Sequence, residues 1–191
     1  MYGIINNAIA ELVVEGFGEP VWRAIVDRAG VGASGYDLTR NYDDSETLRL
    51  VVAASDELGL PVAAVMETFG RWWVGYSERI YGALLQLTGN DFAECLIKLD
   101  ELHDRIRMAF PESRPPSFHA DVRPGGDIVL HYRSEREGFS PIVTGILHGL
   151  AEKMGISLEI TLSADPHDGH AIFHIHPTGA GAWPSALPGE A

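Results

Sequence analysis

Hydrophobic and polar positions divide the chain into a helical first part and a second part that alternates like β-strands. Through residue 110, apolar side chains recur every three or four positions, which is the spacing of one helical face. Proline near the starts and glycine after the ends of these segments mark helix limits. The predicted helices cover the apolar stripe 5–12 and the segments 19–29, 43–58, 62–76, 77–87 and 91–110.

The helix predicted over 91–110 has one unusual position. Its apolar face consists of residues spaced alternately four and three apart: Phe92, Leu96, Leu99, His103, Ile106 and Phe110. A single histidine on such a face is more often a core residue whose ring nitrogens bond to the backbone. A neutral imidazole on a rigid helix can also hold a metal through one nitrogen, so His103 is a candidate ligand.

After residue 110 the pattern becomes that of strands. Pro111, Pro115 and Pro116 end the last helix. Alternation of apolar and polar positions then predicts four strands, over 118–123, 128–136, 157–163 and 170–176. A helix over 140–154 is predicted between the second and the third strand. This order after an all-helical part predicts an α+β fold with a four-stranded antiparallel sheet. Residues 177–191 are rich in Pro, Gly and Ala, and we expect them to form a disordered tail.

Composition restricts the partners of the protein. The 191 residues include 14 Lys+Arg and 27 Asp+Glu, a formal net charge of −13 that argues against nucleic acid or an anionic membrane. No apolar run approaches the roughly 18 residues of a membrane-spanning helix, and the N-terminus lacks a signal-peptide pattern. The single cysteine, Cys95, allows neither a disulfide within this chain nor a thiolate metal cluster. These features predict a cytoplasmic protein, in which eight histidines raise the question of a metal.

The second predicted strand carries a set of hydrogen-bond donors. Because side chains alternate along a strand, Tyr132, Ser134 and Arg136 are expected on one face, with Arg133 and Glu135 on the other. Two hydroxyls and a guanidinium form a site for an anion, most naturally a carboxylate held by both arms of Arg136. The alternative is a solvated strand face without a ligand.

Other titratable groups give weaker signals. Four histidines lie near the end of the sheet: His167, His170, His174 and His176. His174 and His176 share a strand face, which is one arrangement for a transition-metal site, although such clusters beside a tail are more often adventitious. Asp100, Glu101 and Asp104 surround His103 in sequence but are expected on a solvated side of the helix. Motifs of serine hydrolases, zinc proteases, P-loop NTPases and dinucleotide-binding folds are absent from the sequence.

A histidine on one helix and a carboxylate-binding strand together meet the needs of haem, which requires an axial ligand and donors for two propionates. In both motifs the sequence resembles the haem-nitric oxide/oxygen binding (H-NOX) family, which includes the haem domain of the soluble guanylate cyclase β subunit. The segment 99–104 and the Tyr-x-Ser-x-Arg strand carry the resemblance. It extends over about residues 1–176 through further matching segments: 1–3, 42–45, 53–55, 115–118 and 130–132.

The resemblance implies a single haem b domain over residues 1–176, with a helical distal lobe at 1–60 and a proximal lobe at 61–176. It implies that His103 is the iron ligand and that Pro116 presses on the porphyrin. The propionates would be bound by Tyr132, Ser134 and Arg136. In sensors of this family, nitric oxide (NO) binds the ferrous iron and weakens the bond to the histidine. The helix that carries the histidine then shifts and the lobes relax.

The resemblance also bears on the gas that is bound. Family members that bind O₂ stably have a tyrosine at the position of Ile142, and the helix around Ile142 contains no tyrosine. Ile5, Ile9 and Ile146 are its expected neighbours, so the pocket offers no hydroxyl donor to bound O₂. We therefore expect binding of NO and CO and no stable O₂ complex. The indole N–H of Trp73 is a further donor that could reach the pocket.

Because the sequence ends soon after the sheet, we expect a sensor without catalytic activity that signals to a separate protein. The resemblance implies that this partner is a bacterial histidine kinase or a cyclic-di-GMP enzyme, and the acidic charge favours docking on a basic patch of the partner. Two other classes stay open: a haem enzyme or gas carrier, and a haem-free interaction module or histidine-cluster metal protein. Peroxidase chemistry would need polar acid–base groups that the expected pocket lacks.

Overall fold

A computed structural model describes residues 1–32, 35–85, 89 and 91–178 of the chain. Within these residues the helices and strands are α1 (Gly3–Phe17), α2 (Glu19–Ala29), α3 (Asp44–Leu58), α4 (Val62–Leu85), α5 (Phe92–Ile97), α6 (Leu99–Ala109), β1 (Ser117–Val122), β2 (Ile128–Arg133), α7 (Ser140–Lys153), β3 (Ser157–Ala164) and β4 (Ala171–Thr178). The predicted α+β class is confirmed, with a helical first part followed by a sheet that includes one helix between β2 and β3.

The sheet has four antiparallel strands in the order β1-β2-β4-β3. Phe118 on β1 pairs with Tyr132 on β2, and Leu130 on β2 pairs with Phe173 on β4. These four side chains are buried. They lie on the face of the sheet that packs against α5 and α7. The opposite face carries the alternating side chains, which include several histidines and the apolar Val129 and Ile172.

Helix α4 packs against α7 with almost no space between the two backbones. A Cβ atom on Gly70 would lie 2.1 Å from the carbonyl oxygen of Ile142, and one on Gly145 would lie 2.0 Å from that of Glu67. Only glycine fits at such distances, because any side chain would overlap backbone atoms. The contact joins the helical part to the sheet part, since α4 also packs against α1.

The boundary at Ser77 that was predicted between two helices over 62–76 and 77–87 is wrong. The two helical segments of α4 meet instead at a kink at Tyr81, which has non-helical dihedral angles (φ −120°, ψ 21°). Ser77, the expected boundary, is buried, and its hydroxyl donates to the carbonyl of Val74 (3.1 Å). Its side chain therefore bonds to the preceding turn of its own helix and does not start a new one. Residues 86–87 lie outside the described residues.

The prediction of one helix over 91–110 is also wrong, because α5 and α6 meet at Lys98 (φ −89°, ψ 1°) and Phe110 follows the end of α6. Helix α5 is anchored in the core by Phe92 and Leu96, whereas Leu102 is the buried residue of α6. The apolar residues keep their spacing of four and three positions across Lys98, so the hydrophobic periodicity does not reveal the break between α5 and α6.

Strand β2 ends at Arg133 and does not reach residue 136 as predicted. Its ladder with β1 ends at the Ser117–Arg133 pair. The Ser134 hydroxyl then accepts a hydrogen bond from the backbone N–H of Arg136 (3.0 Å), which bends the chain. The side chains of Ser134 and Arg136 therefore do not lie beside Tyr132 because of strand alternation, since both residues follow the end of β2.

At the C-terminal end, β4 continues through Thr178, two residues into the predicted tail, and residues 179–191 lie outside the described part of the chain. Among the described residues, no helix combines the length and the apolar character needed to cross a membrane. The division into lobes at 1–60 and 61–176 stays a prediction.

Candidate functional site

An apolar cavity of about 990 Å³ lies between the helices and the sheet. Its wall is built from side chains of α1, α3, α4, α6, α7 and the inner face of the sheet. The ten residues that the sequence analysis selected all line it: Ile5, Ile9, Trp73, His103, Pro116, Tyr132, Ser134, Arg136, Ile142 and Ile146. The fold therefore brings together side chains from both parts of the chain in a space suited to one large ligand.

His103 lies on α6, with its imidazole against β1. The ring stacks on that of Phe118, with centroids 5.4 Å apart and an angle of 29° between the planes. Its Nδ1 atom is buried and has no contact of hydrogen-bond geometry among the described residues, although a backbone hydrogen bond with Pro116 acts to raise the pKa of the ring. A buried ring nitrogen with so little compensation costs free energy, which points to a role of His103 beyond packing.

Burial lowers the pKa of His103 from 6.5 to about 4, and the positive charge of Arg107 acts in the same direction. The carboxylates of Asp100 and Asp104 oppose this shift but do not cancel it. The imidazole is therefore neutral at pH 7, which is the form that coordinates a metal.

Asp100 holds the start of α6 against the sheet. Its Oδ1 atom accepts a hydrogen bond from the backbone N–H of Phe118 (2.9 Å), and Oδ2 lies 3.4 Å from the hydroxyl of Ser117. The interpretation of Asp100 as part of a solvated helix side is therefore wrong, whereas Glu101 and Asp104 are exposed. This contact determines where the first turn of α6, and with it His103, stands relative to β1.

Three donors form the polar end of the cavity. Tyr132 is buried on β2, while Ser134 and Arg136 follow in the bend after that strand. Burial raises the pKa of Tyr132, and the Ser134 hydroxyl and the Arg136 guanidinium act in the opposite direction. The phenol is therefore protonated at pH 7 and available as a donor next to a hydroxyl and a cation, a combination that suits carboxylate groups.

Asp44, which was not predicted as a site residue, is the partner of Arg136. Nε and Nη2 of Arg136 donate to the two oxygens of Asp44 (2.7 and 3.3 Å), and Nη1 donates to the carbonyl of Arg114 (2.6 Å). The N-terminal amine of Met1 also donates to Asp44. A pair separated by 92 positions has no local signal, and Asp44 is otherwise an ordinary acidic residue of a first helical turn. Two of the five guanidinium N–H groups stay available for an anion.

The rest of the lining that the sequence predicted is apolar and comes from α1, α4 and α7: Ile5, Ile9, Trp73, Ile142 and Ile146. The Trp73 ring packs on Phe69 and Tyr76, with centroids 5.8 and 5.4 Å apart. The glycine contacts between α4 and α7 bring the two isoleucines of α7 to the wall that Trp73 shares. This region offers shape and low polarity but few hydrogen-bond donors.

Several lining residues were not predicted from the sequence. They include apolar residues and two that carry hydroxyls: Met66, Phe69, Leu102, Phe110, Tyr2 and Tyr81. Burial raises the pKa of Tyr81, so its phenol is a donor at pH 7. In the sequence, the aromatic side chain of Tyr81 was the only feature that could have indicated a place in the cavity wall.

The four histidines predicted as a cluster do not converge. His174 Nε2 lies 2.9 Å from the hydroxyl of Ser163, and His176 Nδ1 lies 3.0 Å from a carboxylate oxygen of Asp127. His170 instead contacts a side chain of strand β2. Alternation does put His174 and His176 on one face, but the neighbouring strands supply each with a different partner.

Sequence comparison relates the chain to haem-binding proteins. The family model described as Haem-NO-binding matches residues 2–162. Soluble guanylate cyclase gcy-31 of Caenorhabditis elegans is 29% identical over 181 residues, which cover 92% of this chain and 26% of that protein. Soluble guanylate cyclase gcy-35 of the same organism is 31% identical over 159 residues, covering 81% and 23%. The chain thus spans about a quarter of the length of these curated relatives.

Structure comparison gives the same fold. An H-NOX protein from S. oneidensis in the Fe(II)NO ligation state superposes with a TM-score of 0.85 at 21% identity, covering 94% of this chain and 100% of that one. The Fe(II) unliganded H-NOX protein from K. algicida superposes with a TM-score of 0.82 at 23% identity, covering 94% and 98%. At these identities the likeness concerns the arrangement of helices and sheet.

Proposed function

The chain belongs to the Haem-NO-binding (H-NOX) family of gas-sensing haem domains, and we propose that it is a cytoplasmic nitric oxide sensor that holds haem b on His103. The observation that carries the proposal is a neutral, partly buried imidazole on the wall of an apolar cavity that ends in three donors. Neither feature would be enough by itself. A neutral imidazole alone is also typical of a core histidine, and a set of donors alone could bind many anions.

The residues of the cavity fit the chemical parts of haem. A volume of about 990 Å³ is at the upper end of ordinary ligand sites, as a flat macrocycle requires. His103 would hold the iron, and the donors Tyr132, Ser134 and Arg136 would bind the propionates. Pro116, which immediately precedes β1 and lines the same cavity, would contact the porphyrin. When bound, haem supplies a ferrous iron to which small diatomic gases bind.

The polarity around Ile142 supports NO and CO as the gases. Ile5, Ile9 and Ile146 are apolar and give no hydrogen bond to a partly anionic O₂, whereas NO and CO need none. We expect no stable O₂ spectrum in air. The donors that could contradict this expectation are Tyr81 and the indole of Trp73, which both line the cavity.

Helix α6 is built to move when the imidazole of His103 is released. Its buried residue is Leu102, and its start is separated from the anchored α5 by the non-helical Lys98. The described contacts that tie it to β1 are those of Asp100 and of the His103 ring with Phe118. Release of His103 from the iron would remove one constraint on α6 and would allow this helix to shift relative to β1, which is the kind of change that a signal requires.

The signal would pass to a separate protein, and we propose a histidine kinase or a cyclic-di-GMP enzyme as partner. The net charge of −13 favours a basic docking surface on that partner. In this proposal the domain acts as a sensor and has no catalytic activity of its own.

Ultraviolet–visible spectroscopy tests the proposal. The ferrous protein is recorded alone, with NO, with CO and in air, and we expect a Soret band that responds to NO and CO but gives no lasting O₂ form. The band should be lost in His103→Ala and kept in a matched control with His174→Gln and His176→Gln. Absence of haem after expression with adequate iron would overturn the proposal, and a stable O₂ complex would favour a gas carrier.

A further inference from the structure

A second group of titratable side chains lies on the face of the sheet that points away from the cavity. His131 precedes Tyr132 on β2, so its side chain projects to the opposite face. His170 comes directly before β4, and Asp165 begins the turn between β3 and β4. The backbone N–H of Asp165 donates to the carbonyl of His170 (2.8 Å), which closes this turn and fixes both residues near β2.

Three potential ligand atoms converge here. His131 Nδ1 lies 2.8 Å from His170 Nε2, and His170 Nε2 lies 3.9 Å from Asp165 Oδ2. All three lie within 4.8 Å of one another. The side chains of His170, Asp165 and His131 are 7%, 17% and 22% exposed, so the group is sheltered but reachable from solvent.

The outer nitrogens of both rings face carboxylates. Asp168 Oδ1 is hydrogen-bonded to Nδ1 of His170, and Asp121 Oδ2 lies 3.8 Å from Nε2 of His131. Each carboxylate favours a proton on the nitrogen that it faces. With a proton on each outer nitrogen, the two inner nitrogens face each other as acceptors 2.8 Å apart, an arrangement that a cation bound to both would stabilise.

We propose that His131, His170 and Asp165 bind a divalent transition-metal ion of the Zn²⁺ type. Two imidazole nitrogens and one carboxylate oxygen form a common ligand set for zinc, with water as the fourth ligand. In a tetrahedral site the two nitrogens stand about 3.3 Å apart, so the rings need to separate by only about 0.5 Å. Asp168 orients His170 as carboxylates do behind zinc-binding histidines.

The charge around the site also favours a cation. Asp121, Asp165 and Asp168 contribute three negative charges, and the nearby Arg133 offsets one, with its Nε 3.6 Å from Asp168 Oδ2. A bound ion would connect strand β2 to the turn between β3 and β4 and stabilise the folded protein by mass action. Since it lies on the face opposite the cavity, it would leave the haem site unchanged.

Titration of the haem-loaded protein with Zn²⁺ tests the proposal, after chelator treatment and exchange into chelator-free buffer. Calorimetry and elemental analysis should show one tightly bound Zn²⁺ per chain. We expect His131→Gln and His170→Gln each to weaken binding by about tenfold or more, and Asp168→Asn by about 10–100-fold. The matched control combines His174→Gln and His176→Gln, which remove two histidines of the same sheet and should leave the affinity unchanged.

Two further measurements distinguish loss of the zinc site from misfolding of a variant. The Soret band and the far-ultraviolet circular dichroism spectrum should be the same in all variants. Asp168 is 54% exposed, so Asp168→Asn tests the site with little effect on packing. Three results would overturn the proposal. They are weak Zn²⁺ binding that only the control variant removes, Zn²⁺ binding that His170→Gln leaves intact, and no Zn²⁺ binding at all. In the last case the two rings share a proton.

Discussion

Replacing Gly145 with alanine is expected to push α7 away from α4 and to destabilise the protein by about 2 kcal/mol. The added Cβ would lie 2.0 Å from the carbonyl oxygen of Glu67 and 2.9 Å from the backbone nitrogen of Arg71. These atoms belong to the backbone of α4 and cannot rotate away, so the helices must separate by on the order of 1 Å. Overpacking of this severity costs about 3 kcal/mol, of which the better helix propensity of alanine offsets about 1 kcal/mol.

The control for this prediction is Gly75→Ala, because Gly75 lies in α4, the helix that Gly145 of α7 contacts, and the methyl group of an alanine there would meet nothing within 4 Å. That change should raise stability by up to about 1 kcal/mol. Urea denaturation followed by circular dichroism gives both values, and the expected loss for Gly145→Ala corresponds to about 4–8 °C in Tm. The Soret band should also move, since Ile142 and Ile146 flank Gly145 and line the cavity. A Gly145→Ala protein as stable as Gly75→Ala would refute the reasoning.

Two further changes test the contacts that hold the site together. Asp100→Ala should cost about 1–3 kcal/mol, because it leaves the N–H of Phe118 without its acceptor; urea denaturation against Asp104→Ala measures this, and equal stabilities would contradict it. Asp44→Asn should cost stability at neutral pH but not in acid. Burial acts to raise the pKa of Asp44, but hydrogen bonds from the N-terminal amine and Arg136 outweigh it and leave the pKa below 3.8. The contribution is therefore present above about pH 4 and lost as the pH falls further, so a difference in unfolding free energy that persists at pH 2 would disprove it.

Helix limits that depend on nearby residues could be predicted from the sequence. Asp43 caps α3 by accepting a hydrogen bond from the N–H of Ser45, and Gly59 ends the helix with φ 64°, as the sequence pattern indicates. Caps of this kind involve residues only a few positions apart, so the sequence contains the whole signal. The break at Lys98 and the continuity of α4 through Ser77 escaped prediction, because both depend on the surfaces against which these segments pack.

The sequence by itself determined the α+β class, the histidine in an apolar stripe and the residue types of the donor set, since these follow from spacing along the chain and from the resemblance of two motifs. Only the tertiary structure decided which side chains meet. It paired Asp44 with Arg136 across 92 positions and brought His170 to His131 instead of to His174 or His176. The physical reason is that periodicity says which face a side chain occupies, whereas strand register and the closure of turns decide what stands opposite it.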